Sequence, residues 1–213
     1  MAKVNLFNGM ISGKLGQMVL VQGKTGVYVR SLPTPNDKKS EAQLKQRSKL
    51  QQANTFLKPL KAFLPIAFVE RKPQQNAYQA ATSCLMRSAF VDNAMDYSRI
   101  RISEGSLCPP KKASVSLSDH VAIFRWDDNG TDVGANESDR AVVLIYSPET
   151  QQAFWEIKKE TRKDKYCLQL LDNSLTGPFL AYMAFINKKE DKISNSEFLG
   201  TLQLEPHITD EES

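Results

Sequence analysis

Few residues in this chain could make or break a bond. Histidine occurs only at His120 and His207, and cysteine only at Cys84, Cys108 and Cys167. A nucleophile needs a base within hydrogen-bond reach, and no serine or cysteine stands in a recognisable elbow or Cys-His context. Zinc needs four converging ligands, and the sequence contains no CxxC or HxxxH pair. Cys84 and Cys167 fall on apolar periodicities and read as small buried hydrophobes. The three cysteines are widely spaced, which suits reduced thiols better than a disulfide framework. His120 is expected to begin a strand, and His207 lies beside Pro206 near the C-terminus.

Two further patterns invite a ligand and fail on spacing. Gly9-Met-Ile-Ser-Gly13-Lys14-Leu15-Gly16 looks like a phosphate loop. A Walker loop, however, needs four residues between its glycines and a Ser or Thr after the Lys, so tight turns between short strands are expected instead. Asp127-Asp128-Asn129-Gly130 resembles the start of a calcium loop but lacks the alternate ligands and the distal Glu. A solvated turn is expected there, because Asp and Asn tolerate turn dihedrals. Glu190-Asp191, between lysines, reads as another hairpin loop. The expectation is therefore no catalytic residue, no metal ligand and no cofactor.

The remaining chemical feature is positive charge. Arg30, Lys38, Lys39, Lys45, Arg47, Lys49, Lys58 and Lys61 crowd one segment. At helical spacing Lys38, Lys45 and Lys49 approach one face, which could neutralise phosphates. Aromatics for base stacking are sparse beside them. The same stripe could equally dock on the acidic half of a neighbouring copy.

These residues sit in a chain of 213 residues with 41% hydrophobic and 24% charged positions and a net charge of +4. That composition excludes a wholly disordered, fibrous or collagen-like protein. Charge divides it: 14 basic against 5 acidic residues up to position 96, and 14 against 19 afterwards. The longest apolar stretch, around Ala62 to Val69, is far too short to span a bilayer. The N-terminus lacks the apolar region of a signal peptide, so a cytoplasmic protein is expected.

The elements follow from periodicity. Residues 17–22 and 26–31 alternate around Gly23-Lys-Thr-Gly26 as a β-hairpin, which Pro33 and Pro35 then stop. Ser40-Glu-Ala-Gln43 fits a capping box. Leu50, Ala53, Leu57, Leu60 and Leu64 form the face of the helix that follows, interrupted at Pro59. A second helix over about 73–92 carries a small-residue stripe of Ala77, Ala80, Ala81, Cys84 and Ser88. Beyond it, candidate strands cover 99–103, 113–117, 121–127, 141–147, 152–158, 166–171, 179–187 and 198–204. That rhythm is expected of an immunoglobulin or fibronectin type III sandwich. The fold class expected is α+β: an N-terminal β-hairpin plus two-helix module at 1–96, an all-β immunoglobulin/fibronectin-III-like sandwich at 97–206, and an acidic tail at 207–213.

Several strings carry a resemblance. Asn8-Gly9, Ser12-Gly13-Lys14-Leu-Gly16, Val19, Tyr28-Val-Arg30, Pro33, Ser40-Glu-Ala-Gln43 and Gln46-Arg47 resemble the N-terminal signature of an uncharacterised family, a domain of unknown function widespread in Bacteroidota. The likeness continues through Tyr97-Ser98 and Ile102-Ser-Glu-Gly-Ser-Leu107. The N-terminal block is also similar to small proteins encoded among phage and prophage structural genes. Neither resemblance implies a catalytic residue. Together they imply a non-enzymatic structural protein, a virion or assembly component, whose sandwich binds protein and which self-associates. Its expected partner-binding residues are Gly13, Gly16, Tyr28, Arg30, Gln43 and Arg47, for which turn and cap chemistry is an equal reading. The alternative is a nucleic-acid-binding protein using Lys38, Lys39, Lys45, Arg47 and Lys49.

Overall fold

The computed structural model describes residues 4–7, 10–23, 26–32 and 40–205. Lys24, Thr25, Pro33, Pro35, Lys38, Lys39, His207 and the acidic tail lie outside the described residues. The chain forms two compact units, Met1–Ser40 and Glu41–Ser213.

The first unit is an antiparallel meander of β1 (Val4–Phe7), β2 (Met10–Leu15), β3 (Met18–Gly23) and β4 (Gly26–Ser31), in that order. The expected hairpin is present as β3–β4, and two further strands extend it. Gly16 begins the two-residue turn between β2 and β3 with φ +60°, and nothing would touch a Cβ there. The backbone conformation, not space, calls for glycine at that point.

The second unit opens with α1 (Glu41–Leu57), α2 (Leu64–Ala67) and α3 (Ala77–Ser88). A small hairpin of β5 (Phe90–Val91) and β6 (Ala94–Met95) follows. Seven strands come next: β7 (Lys111–Ser118), β8 (Val121–Asp127), β9 (Arg140–Ser147), β10 (Gln152–Thr161), β11 (Tyr166–Leu170), β12 (Gly177–Ile186) and β13 (Glu197–Leu204). They make two antiparallel sheets, ordered β10-β9-β12-β13 and β11-β8-β7.

Three layers result, because the four-stranded sheet is covered on both faces. Val143, Ile145, Ala181, Met183 and Phe185 point towards Phe124, Trp126 and Cys167 of the three-stranded sheet. Their neighbours Val142, Leu144, Tyr146, Tyr182 and Ala184 point the other way, into a core with Phe56, Leu57, Leu60, Phe63 and Leu85 of the helical segment. Strands buried on both faces read as continuous apolar runs, as β9 and β12 do. The expected boundary at residue 96 therefore does not separate two modules: the helices roof the sandwich and share its core, and the chain divides at Ser40/Glu41.

Local chemistry accounts for the remaining departures. The small-residue stripe of α3 lets α1 approach, and Ala77, Ala80, Ala81 and Cys84 are buried. Asn76 caps α3 by accepting from the Gln79 N–H, while the Gln79 side chain accepts from the Asn76 N–H. The helix ends at Ser88 rather than Asp92, because Asp92 and Asn93 take positive φ in the β5–β6 turn. Leu50, expected on the buried face of α1, is exposed, and Phe56 is buried instead. Residues 99–103 form no strand; the Ile102 and Ser103 N–H groups donate to Ser196 Oγ. His120 does not begin β8 but sits with Asp119 in the left-handed turn before it. No helix among the described residues is long and apolar enough to cross a membrane.

Candidate functional site

Burial holds two thiols, Cys84 and Cys167, and the phenols of Tyr146 and Tyr182 away from ionisation. It pushes the Cys167 thiol up to about 12, and raises Cys84, where nearby Glu104 adds to the effect. Tyr146 is likewise pushed up to about 12 by burial, with Tyr97 close by. Tyr182 is raised by burial while its hydroxyl donates to the Tyr97 carbonyl at 3.0 Å. Among the described residues no group of three or more His, Cys, Asp and Glu side chains could hold a metal ion.

Two charged side chains are instead built into the scaffold. Arg162 is fully buried, and its guanidinium donates to Asp139 Oδ2 at 2.9 Å, Asn129 Oδ1 at 2.7 Å and the Cys108 carbonyl at 2.6 Å. The cation lies 4.0 Å from the centre of the Phe185 ring, and the Arg162 carbonyl accepts from Trp126 Nε1. A buried charge is tolerable only when paired and hydrogen-bonded in this way. Asn129 thereby leaves the solvated turn expected for it: it is buried, donates to the Pro109 carbonyl and ties two loops together. Sequence carried no signal for Arg162, which follows a glutamate and a threonine at an ordinary strand end.

Glu70 fastens the segment after α2 to two others. Its Oε1 accepts from the Ser106 N–H at 2.9 Å and the Ile193 N–H at 3.1 Å. Partial burial pushes its carboxyl up, but these hydrogen bonds and nearby Lys192 outweigh that and leave it below its ordinary value. Gly105 is required beside it, since a Cβ would lie 2.2 Å from the Ile193 carbonyl oxygen.

What remains accessible is surface. A cleft of about 490 Å³ is lined by Arg99, Arg101, Ser98 and Glu197, the last raised above its ordinary value by burial. A smaller cleft of about 330 Å³ runs beside Gln52, Phe56, Tyr97 and Tyr146. The outer face of β11-β8-β7 is more distinctive. Tyr166, Leu168 and Leu170 are all exposed there, Leu170 at 76%, opposite Arg125, Ile123 and Val121. Ser114, Ser116 and Ser118 continue the same face on β7. An apolar row with a polar border can bind another protein; it cannot by itself turn over a substrate.

The sequence-selected residues fall in both units. Gly13 lies opposite Leu20 in the meander, Gly16 in its turn, and Tyr28 and Arg30 on β4. Gln43, Lys45 and Arg47 are exposed on α1, whereas Lys49 is half-buried with its ammonium 5.6 Å from the Phe90 ring. At 100° per residue Arg47 faces away from Lys45 and Lys49, so the described part of the stripe is split between two sides of the helix. Residues 10–200 match a family described as of unknown function (DUF6266). The chain belongs to this family. The match runs from β2 into β13, so DUF6266 takes in three strands of the meander and most of the layered unit. No curated protein matches the chain.

Proposed function

We propose that this protein is a non-enzymatic structural component of an assembly, a phage-derived virion or assembly protein of Bacteroidota, acting in the cytoplasm or in the particle. In this reading its sandwich is an immunoglobulin- or fibronectin-III-like protein-binding module. The strand order supports the likeness: the first, second and fifth sandwich strands face the third, fourth, sixth and seventh. The observation that carries the binding role is the exposed row Tyr166, Leu168 and Leu170, apolar side chains on a sheet whose other face is already in the core. The scaffold behind them is rigidly tied by Arg162 and Glu70, as a presenting module requires. Gly13, Gly16, Tyr28, Arg30, Gln43 and Arg47 belong to this reading as anchoring residues.

Incorporation tests it. The full chain, co-expressed with the products of the genes flanking its own, is expected in sedimenting assemblies at fixed stoichiometry, and Leu168→Asp is expected to reduce its share. A chain that stays wholly in the slowly sedimenting fraction overturns the reading. A second reading, contact with nucleic acid through α1, draws on exposed Lys45 and Arg47 in a helix whose only acidic residue is Glu41. Under it, binding to mixed-sequence DNA or RNA falls steeply with salt. Binding that is absent at low salt overturns it.

A further inference from the structure

Ser48, Gln51, Gln52 and Thr55 recur along α1 at spacings of three and four residues and so form one polar stripe of the helix. The stripe borders the cleft of about 330 Å³ into which Tyr97 and Tyr146 also reach. No charged side chain lines this cleft among the described residues, and all of its lining residues belong to the second unit.

Tyr146 is only 2% exposed, yet its hydroxyl has no hydrogen-bond partner among the described residues and is not sealed inside the core. A buried phenol ordinarily finds a partner; this one faces the cleft with a proton left to donate. Burial pushes it up to about 12, so it stays a donor at any physiological pH. Gln52 presents the complementary group. Its Nε2 donates to the Asn93 carbonyl at 3.2 Å and to Ser48 Oγ at 3.3 Å. With both amide hydrogens used, its Oε1 is held in place as a free acceptor.

A hydroxyl is the neutral group that accepts from a phenol and donates to an amide oxygen at once. The absence of lining charge disfavours a phosphorylated or carboxylated ligand. The Phe56 and Tyr146 rings are tilted by 60° to one another, so they offer no parallel walls to clasp a flat base. Half-buried Tyr97, Met95 and Pro148 supply apolar patches for the C–H face of a puckered ring. The volume stands at the lower end of the roughly 300–1,000 Å³ of small-molecule sites, which is room for one ring. We propose that this cleft binds a neutral monosaccharide unit, whose hydroxyls accept from Tyr146 and donate to Gln52 while its C–H face lies against Tyr97 and Met95.

Titration of the full chain, followed by saturation-transfer NMR, tests it with glucose, galactose, mannose and N-acetylglucosamine, each free and as its methyl glycoside. At least one is expected to bind with a Kd of about 1–10 mM, the strength that a dozen or so heavy atoms supply. Binding of the glycoside assigns the site to the end of a glycan chain, and binding of the free sugar alone assigns it to a free monosaccharide. Tyr146→Phe removes one donated hydrogen bond and should weaken binding by roughly tenfold. Its thermal midpoint should not fall, because that hydroxyl has no partner within the fold, so lost binding is separated from lost structure. No binding by any of these compounds at about 100 mM, far above the expected Kd, overturns the proposal. So does a Tyr146→Phe variant that binds as the wild type does, or a site that takes uridine and no sugar. The assembly reading stands or falls apart from this one: a chain that binds sugar but never enters assemblies removes only the assembly role, and the converse removes only the sugar site.

Discussion

Arg162 shows how a single charge organises one end of the sandwich. Three acceptors, two from the β8–β9 loop and one from the segment before β7, converge on its guanidinium, and its aromatic neighbour Phe185 belongs to a central strand. Removing the cation leaves Asp139 buried and unpaired, so Arg162→Ala is expected to cost about 3–5 kcal/mol in urea denaturation. Replacing both partners by apolar residues, Arg162→Met with Asp139→Leu, should recover part of that loss. Glu70 adds a pH dependence of known sign. Its folded carboxyl lies below its ordinary value, so its contribution is complete above the unfolded pKa and is lost as pH falls through the folded one. The stability difference between the wild type and Glu70→Gln should be constant near neutrality and shrink below roughly pH 4.

At the scale of elements, α1 separates what periodicity can tell from what it cannot. Leu50 and Leu57 share the expected apolar face, but only Leu57 is buried, and Phe56 packs with its ring centre 4.7 Å from that of Tyr146. Phe56→Ala is expected to cost about 3–5 kcal/mol and Leu50→Ala less than about 0.5 kcal/mol, measured by thermal or urea unfolding. Strands β7 to β13 were legible because alternation and turn residues are local signals. The residues 99–103 misled because their backbone donors are satisfied by a serine some ninety residues away. The surface row of β11 was hidden for a related reason: Tyr166, Leu168 and Leu170 look like core positions until Cys167 is seen to take the inward place. The continuous apolar runs of β9 and β12 did hold a readable signal, namely that something must lie on both sides of that sheet.

For the whole molecule, the division of the chain makes opposite predictions for two truncations. All buried core residues of both clusters belong to Glu41–Ser213. Removing residues 1–40 should therefore leave a chain that unfolds cooperatively within a few degrees of the full protein. Starting at residue 97 strips Phe56, Leu60, Phe63 and Leu85 from the face of Leu144 and Tyr182 and should give an aggregating product, read by light scattering. The layered arrangement also ranks how readily each part opens. Backbone amides of β9 and β12 have a strand on either side and side chains locked above and below, so their hydrogens can reach water only when the entire unit comes apart. Their exchange rate is thus a direct gauge of the unit's global unfolding equilibrium, while the solvent-lapped rim strands β7 and β11 report smaller, more frequent excursions.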